Sequence, residues 1–140
     1  MLLDKLLELS NGQALTATAL SDYSVSTGAL LRDVGKGKQL YAVITIDTAV
    51  ATADAAKTVT FSVVSDSTAN LATSAVTMLA TRAYTGAVLT AGREPIVIPL
   101  PPLTPSEATD LYFGIYYTLS TTFTSFTVSA YIAAEVQTNV

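Results

Sequence analysis

Histidine and cysteine are absent from the 140 residues, and charge is scarce. Without the first two there is no Ser-His-Asp or Cys-His nucleophile system, no Cys/His zinc site and no disulfide framework. Only 13% of the residues are charged, where an average soluble domain carries roughly a quarter. Eleven acids against seven bases leave a net charge of -4. That balance repels phosphate backbones and argues against nucleic acid as a partner.

Long apolar runs are missing as well. Asp4, Lys5 and Glu8 interrupt the leucines of the opening Met1-Leu2-Leu3-Asp4-Lys5-Leu6-Leu7-Glu8-Leu9. The continuous apolar core of a secretory signal is therefore not present, no export signal is expected, and intracellular synthesis fits best. The longest uncharged stretch, Leu111 to Ala134, has the length to cross a bilayer, but Ser120, Thr121, Thr122, Thr124, Ser125, Thr127 and Ser129 make it too polar. It reads as two strands and a turn, with no membrane partner. Asn11, Asn70 and Asn139 head no glycosylation sequon.

Half the residues are hydrophobic and mean hydropathy is +0.47. β-Branched residues alternate with small or polar ones over many short segments, the pattern of strands half buried on a sheet face. In Thr58-Val59-Thr60-Phe61-Ser62-Val63 the apolar side chains fall on one face and the hydroxyls on the other. Leu40 to Ile46 is nearly continuous in apolar character and predicts a central strand covered on both faces. Further strands are expected at Gln13 to Leu20, Ser74 to Ala83, Pro95 to Leu100, Asp110 to Leu119 and Phe123 to Glu135, with another near Val25 to Leu31. Gly12, Gly35, Gly37, Gly86 and Gly92 punctuate the connections and offer the positive φ that turns require. Seven or eight strands without helical periods between them predict an all-β fold, a jelly-roll or Greek-key β-sandwich. The predicted organisation is an N-terminal arm over 1–12 and a single domain over 13–140. In the closing strand pair, Leu111, Phe113, Ile115, Tyr117 and Leu119 share a face, with Phe126, Val128, Ala130 and Ile132 as packing partners.

Two segments depart from the strand pattern. Leu2, Leu3, Leu6, Leu7 and Leu9 suit one side of a short amphipathic turn that needs support, either from the domain itself or from a neighbouring subunit. Pro99, Pro101, Pro102 and Pro105 lead into Thr104-Pro105-Ser106-Glu107, a capping box with proline at the first helical position. A rigid loop and one helical turn are expected there.

Known chemistries find little footing. Gly35-Lys36-Gly37-Lys38 resembles a phosphate loop only superficially: Leu30 and Arg32 stand where a Walker A glycine belongs, and no Ser or Thr follows either lysine. Arg32, Lys36 and Lys38 nonetheless form the densest basic cluster and suit an acidic patch on a protein partner. No alternating acidic loop for calcium occurs, so neither metal nor cofactor is expected. Asp47, Asp54 and Asp66 fall at presumed strand ends, where acids normally face water, and no carboxylate pair is evident for a hydrolase. Tyr112 and Tyr116 fall opposite the Phe113 face. On an exposed sheet surface they would stack sugars or bind protein.

The residues as a series resemble a known family. Leu3-Asp4-Lys5, Ser10, Gln13-Ala14-Leu15-Thr16-Ala17-Thr18-Ala19, and Asp33-Val34-Gly35-Lys36-Gly37-Lys38-Gln39-Leu40-Tyr41-Ala42-Val43 follow the order and spacing of the Bbp16-like capsid cement proteins of tailed bacteriophages. Val63-Val64-Ser65-Asp66 and the closing uncharged strands extend the likeness over nearly the whole chain. The resemblance implies a jelly-roll oligomer on the exterior of the phage head that ties major capsid protein subunits together. The expected partners are that capsid protein and further copies of the chain, a dimer in preference to a trimer, with no small-molecule substrate and no enzymatic activity. The surfaces expected to make these contacts are Leu2, Leu3, Leu6 and Leu7 of the arm, Arg32, Lys36 and Lys38 of the basic loop, and Tyr112 and Tyr116. Two other readings stand beside this one: a carbohydrate- or receptor-binding jelly-roll of a virion, and a hydrolase built on a carboxylate pair.

Overall fold

Alternating β-branched and polar residues make strands that must bury one face, and two sheets packed face to face satisfy that need. The computed structural model describes residues 5–26, 39–100 and 112–134. It contains ten strands: β1 Glu8–Leu15, β2 Ala19–Leu20, β3 Val25–Ser26, β4 Tyr41–Thr48, β5 Thr58–Asp66, β6 Val76–Ala80, β7 Tyr84–Thr85, β8 Ile96–Pro99, β9 Tyr112–Leu119 and β10 Phe126–Ala133. Short 3-10 turns occur at Lys5–Leu7, Thr52–Asp54 and Gly86–Val88, and no α-helix is present among the described residues.

One sheet runs β1-β10-β4-β8. The other runs β2-β9-β5-β6, with β3 also on β9 and β7 also on β5. All the pairings are antiparallel. Short β2 and β3 together occupy one strand position, and β6 and β7 another, which gives eight positions. The first pairs with the eighth, the second with the seventh, the third with the sixth and the fourth with the fifth. This is a long nested hairpin, and pairing of β10 with β4 and of β9 with β5 rolls it into a sandwich. The chain is a jelly-roll.

The core lies between the sheets. Ala42, Ile44 and Ile46 of β4, with Phe126, Val128, Ala130 and Ile132 of β10, face Val59, Phe61 and Val63 of β5 and Phe113, Ile115, Tyr117 and Leu119 of β9. The two closing strands expected to pack their apolar faces together do so across the sandwich, because β9 and β10 belong to different sheets. Tyr117 is the largest fully buried side chain, and its hydroxyl lies 2.7 Å from that of Ser10. Phe61 meets Tyr117 edge to face, with centroids 5.9 Å apart.

Three details differ from expectation. The first strand begins at Glu8 rather than Gln13 and ends at Leu15, so residues 8–12 are sheet rather than arm. Leu9 is fully buried, and that burial draws the segment into the sandwich. Gly12 and Gly92 have positive φ, but Gly86 is needed for space. A Cβ there would lie 2.5 Å from the Asp54 carbonyl oxygen. Asp54 and Asp66 do not face water: they are 2% and 0% exposed. Gly35, Gly37 and the capping box at Thr104 lie outside the described residues.

Candidate interaction surface

Strand direction divides the sandwich into two ends. At one end β1, β4 and β9 begin while β5, β8 and β10 finish, as the pairings Glu8 with Tyr131, Tyr41 with Pro99 and Asp66 with Tyr112 require. The basic loop and the proline loop leave and re-enter the described structure at this end, between Ser26 and Gln39 and between Leu100 and Tyr112. The turn Lys5–Leu7 stands there too. Sequence positions far apart are therefore carried to one end by topology.

Of the candidate contact residues, Leu2, Leu3, Arg32, Lys36 and Lys38 lie outside the described residues. The other four separate by environment. Leu6 is 63% exposed, whereas Leu7 is half-buried and packs on the domain's own core. Lys5 bonds Glu8, and its ammonium sits 5.3 Å from the Tyr23 ring centroid. The hydrogen bond to Glu8 is the main cause that holds the Lys5 pKa above the usual lysine range. The Tyr23 amide donates to the Leu9 carbonyl at 2.9 Å, so the turn is seated against the β2–β3 segment.

Tyr112 and Tyr116 do lie on the outer face of β9, opposite Phe113, but both are half-buried. Gly114 lies between them on that face. Leu71, with φ 55 and 1% exposed, descends from the β5–β6 connection onto it. A Cβ on Gly114 would come within 2.4 Å of Leu71 Cδ1 and 2.7 Å of Ser21 Oγ. The β5–β6 connection thus covers the outer face between the two tyrosines.

Asp66 builds that cover. One carboxylate oxygen accepts the Thr68 amide at 3.2 Å and the Ser74 hydroxyl at 3.1 Å, and the other accepts the Thr73 amide at 2.9 Å and the Ser74 amide at 3.1 Å. Burial alone would raise its pKa. The amides of Ser74, Thr73 and Thr68, with the Ser74 hydroxyl, outweigh that cost and hold the carboxyl down at about 2. The sequence hinted at this loop through Asp66-Ser67-Thr68, which favours local side-chain-to-amide bonds. Closure onto Thr73 and Ser74 needed the folded connection.

The opposite end is pinned in a similar way. Asp54 lies 2.5 Å from Lys57 Nζ and accepts the Thr124 amide at 2.7 Å, while Lys57 donates to the Thr122 carbonyl at 2.6 Å. Lys57 first, and then the Thr124 amide, lower the Asp54 pKa. Both buried carboxylates are thus committed to holding connections. On the outer face of the four-stranded sheet, Ser129 donates to Asp47 at 2.5 Å and accepts the Gly12 amide at 3.0 Å, which ties β10 to β4 and β1. Among the described residues no group of three or more acids could hold a metal ion, and no helix is long and apolar enough to cross a membrane.

Comparison with protein-family models matches one description, Bbp16, over residues 9–132. The chain belongs to the Bbp16 family. The match begins at Leu9, the first fully buried residue of β1, and ends at Ile132 in β10, so the Bbp16 region coincides with the sandwich. No curated protein matches the chain.

Proposed function

We propose that this protein is a cement or decoration protein of a tailed-phage head, binding the outside of the shell and holding neighbouring major capsid protein subunits together without catalysis. The observation that carries this reading is membership of the Bbp16 family across the whole jelly-roll. Three features support it. The sandwich gathers the arm and the origins of the basic and proline loops at one end, where they can act as one contact surface. The buried acids serve connections that stiffen both ends of the domain. Low charge and a composition that is half hydrophobic suit a subunit that is covered by neighbours.

Cementing needs only mass action. Each contact made to the assembled shell, and lost when it breaks, stabilises the assembled state. An oligomer that touches two capsid subunits makes its second engagement effectively intramolecular, so modest single contacts become strong. A dimer serves this purpose, and a trimer would serve it at a three-fold position.

The test uses phage heads stripped of this protein. Purified protein is expected to rebind them and to raise their resistance to heat and osmotic shock. Failure to rebind, or rebinding without added resistance, overturns the proposal.

A further inference from the structure

Four of the seven basic residues are described: Lys5, Lys57, Arg82 and Arg93. The two lysines are each bound to a carboxylate. The two arginines have no carboxylate partner among the described residues, yet the fold brings them together. Their guanidinium carbons lie 5.0 and 5.3 Å from the centroid of one ring, that of Tyr84. The two charges therefore stand no more than about 10 Å apart, close to a Debye length at physiological salt, and each raises the electrostatic cost of the other.

The mount is rigid. Tyr84 packs on the core with its ring 6.0 Å from Phe61. Arg93 is fixed further by donating to the Val88 carbonyl at 2.8 Å and the Glu94 carbonyl at 3.2 Å, which leaves the rest of its donor fork unused among the described residues. Arg82 is exposed and is held over the ring face. Val88 of the Gly86–Val88 turn, whose carbonyl Arg93 binds, stands exposed beside Arg93. Preordered arginines on an aromatic base, beside an exposed aliphatic, are the composition of a protein-binding surface, and guanidiniums without a carboxylate partner match carboxylates.

We propose that the flank formed by Arg82, Tyr84, Arg93 and Val88 is a second docking surface, which receives an acidic segment of a protein partner bearing carboxylates next to apolar side chains. This rests on the cement reading, with the capsid subunit as that partner. The arm end and this flank would then let one copy contact two subunits.

The experiment compares the parent with Arg82→Gln/Arg93→Gln in rebinding to stripped heads over a range of salt. Circular dichroism and thermal melting confirm the fold of the variant. Because both side chains stack from outside the core, its melting temperature is expected to stay within about 3 °C of the parent. Rebinding is expected to weaken by about tenfold or more, and its salt dependence to become shallower, because the charge pairs are removed. Equal rebinding with an unchanged salt slope overturns the inference and leaves the cement reading standing. Failure of the parent to rebind overturns both. Loss of self-association by the variant in light scattering, with normal rebinding, overturns the inference by assigning the flank to a copy-to-copy contact.

Discussion

Replacing Asp66 by alanine removes the acceptor for three backbone amides and the Ser74 hydroxyl, all within the connection that covers Gly114. Hydrogen bonds to a charged acceptor contribute about 1.5 to 3 kcal/mol each. Their sum overstates the loss, because the connection can lift away and return its amides to water. Lifting it exposes Leu71, now 1% exposed, at a cost of about 2 to 3 kcal/mol. The expected loss is therefore about 3 kcal/mol, or a fall of about 10 °C in melting temperature for a domain of this size. Urea unfolding followed by tyrosine fluorescence and circular dichroism measures it. The pH dependence supplies an independent check. The folded pKa of about 2 lies below the ordinary 3.8, so the carboxylate's contribution is fully present above about pH 4 and is lost as pH falls through about 2. The gap between parent and Asp66→Ala must narrow over that window. A variant within about 0.5 kcal/mol of the parent at pH 7, or a gap unchanged between pH 5 and 2, refutes the assignment of Asp66 as the organiser of this connection.

Gly86→Ala places a Cβ against the Asp54 carbonyl oxygen and 2.8 Å from Val50 Cγ1. Because backbone must move to admit it, a loss of about 2 kcal/mol is expected in urea titration. Tyr117→Phe deletes the buried bond to Ser10 and is expected to cost about 1 kcal/mol in the same assay. In the parent, ultraviolet titration should find Tyr117 protonated where exposed tyrosines ionise, because burial pushes its pKa up. In the arm, Leu7→Ala is expected to lower stability by about 1 to 2 kcal/mol, since Leu7 packs on the core. Leu6→Ala should leave stability within about 0.5 kcal/mol and reduce only rebinding to stripped heads.

Much of this was legible in the residues alone. Alternation in Thr58 to Val63 identified the inward set Val59, Phe61 and Val63, because strand geometry sends successive side chains to opposite faces whatever the rest of the chain does. The same rule placed Tyr112 and Tyr116 opposite Phe113. Local rules also located most strands, while the likeness to the Bbp16 family rested on the order and spacing of its motifs. Strand ends were less accessible: Ser10 and Gly12 read as arm, yet pairing with β10 holds Glu8–Leu15 in the sheet.

What the amino-acid order determined by itself was the class of fold, which follows from a two-residue period, and the exclusion of histidine and cysteine chemistry, which follows from residue type. What tertiary structure alone decided was proximity. Leu71 reaches Gly114, Asp66 gathers amides up to eight residues on, and Arg82 and Arg93 meet over Tyr84. Burial of Asp54 and Asp66 reverses the usual expectation for acids at strand ends because partners stand in water's place, Lys57 and the Thr124 amide for Asp54 and three backbone amides for Asp66. Such contacts depend on how the nested hairpin rolls, and no local period encodes which connection will meet which face.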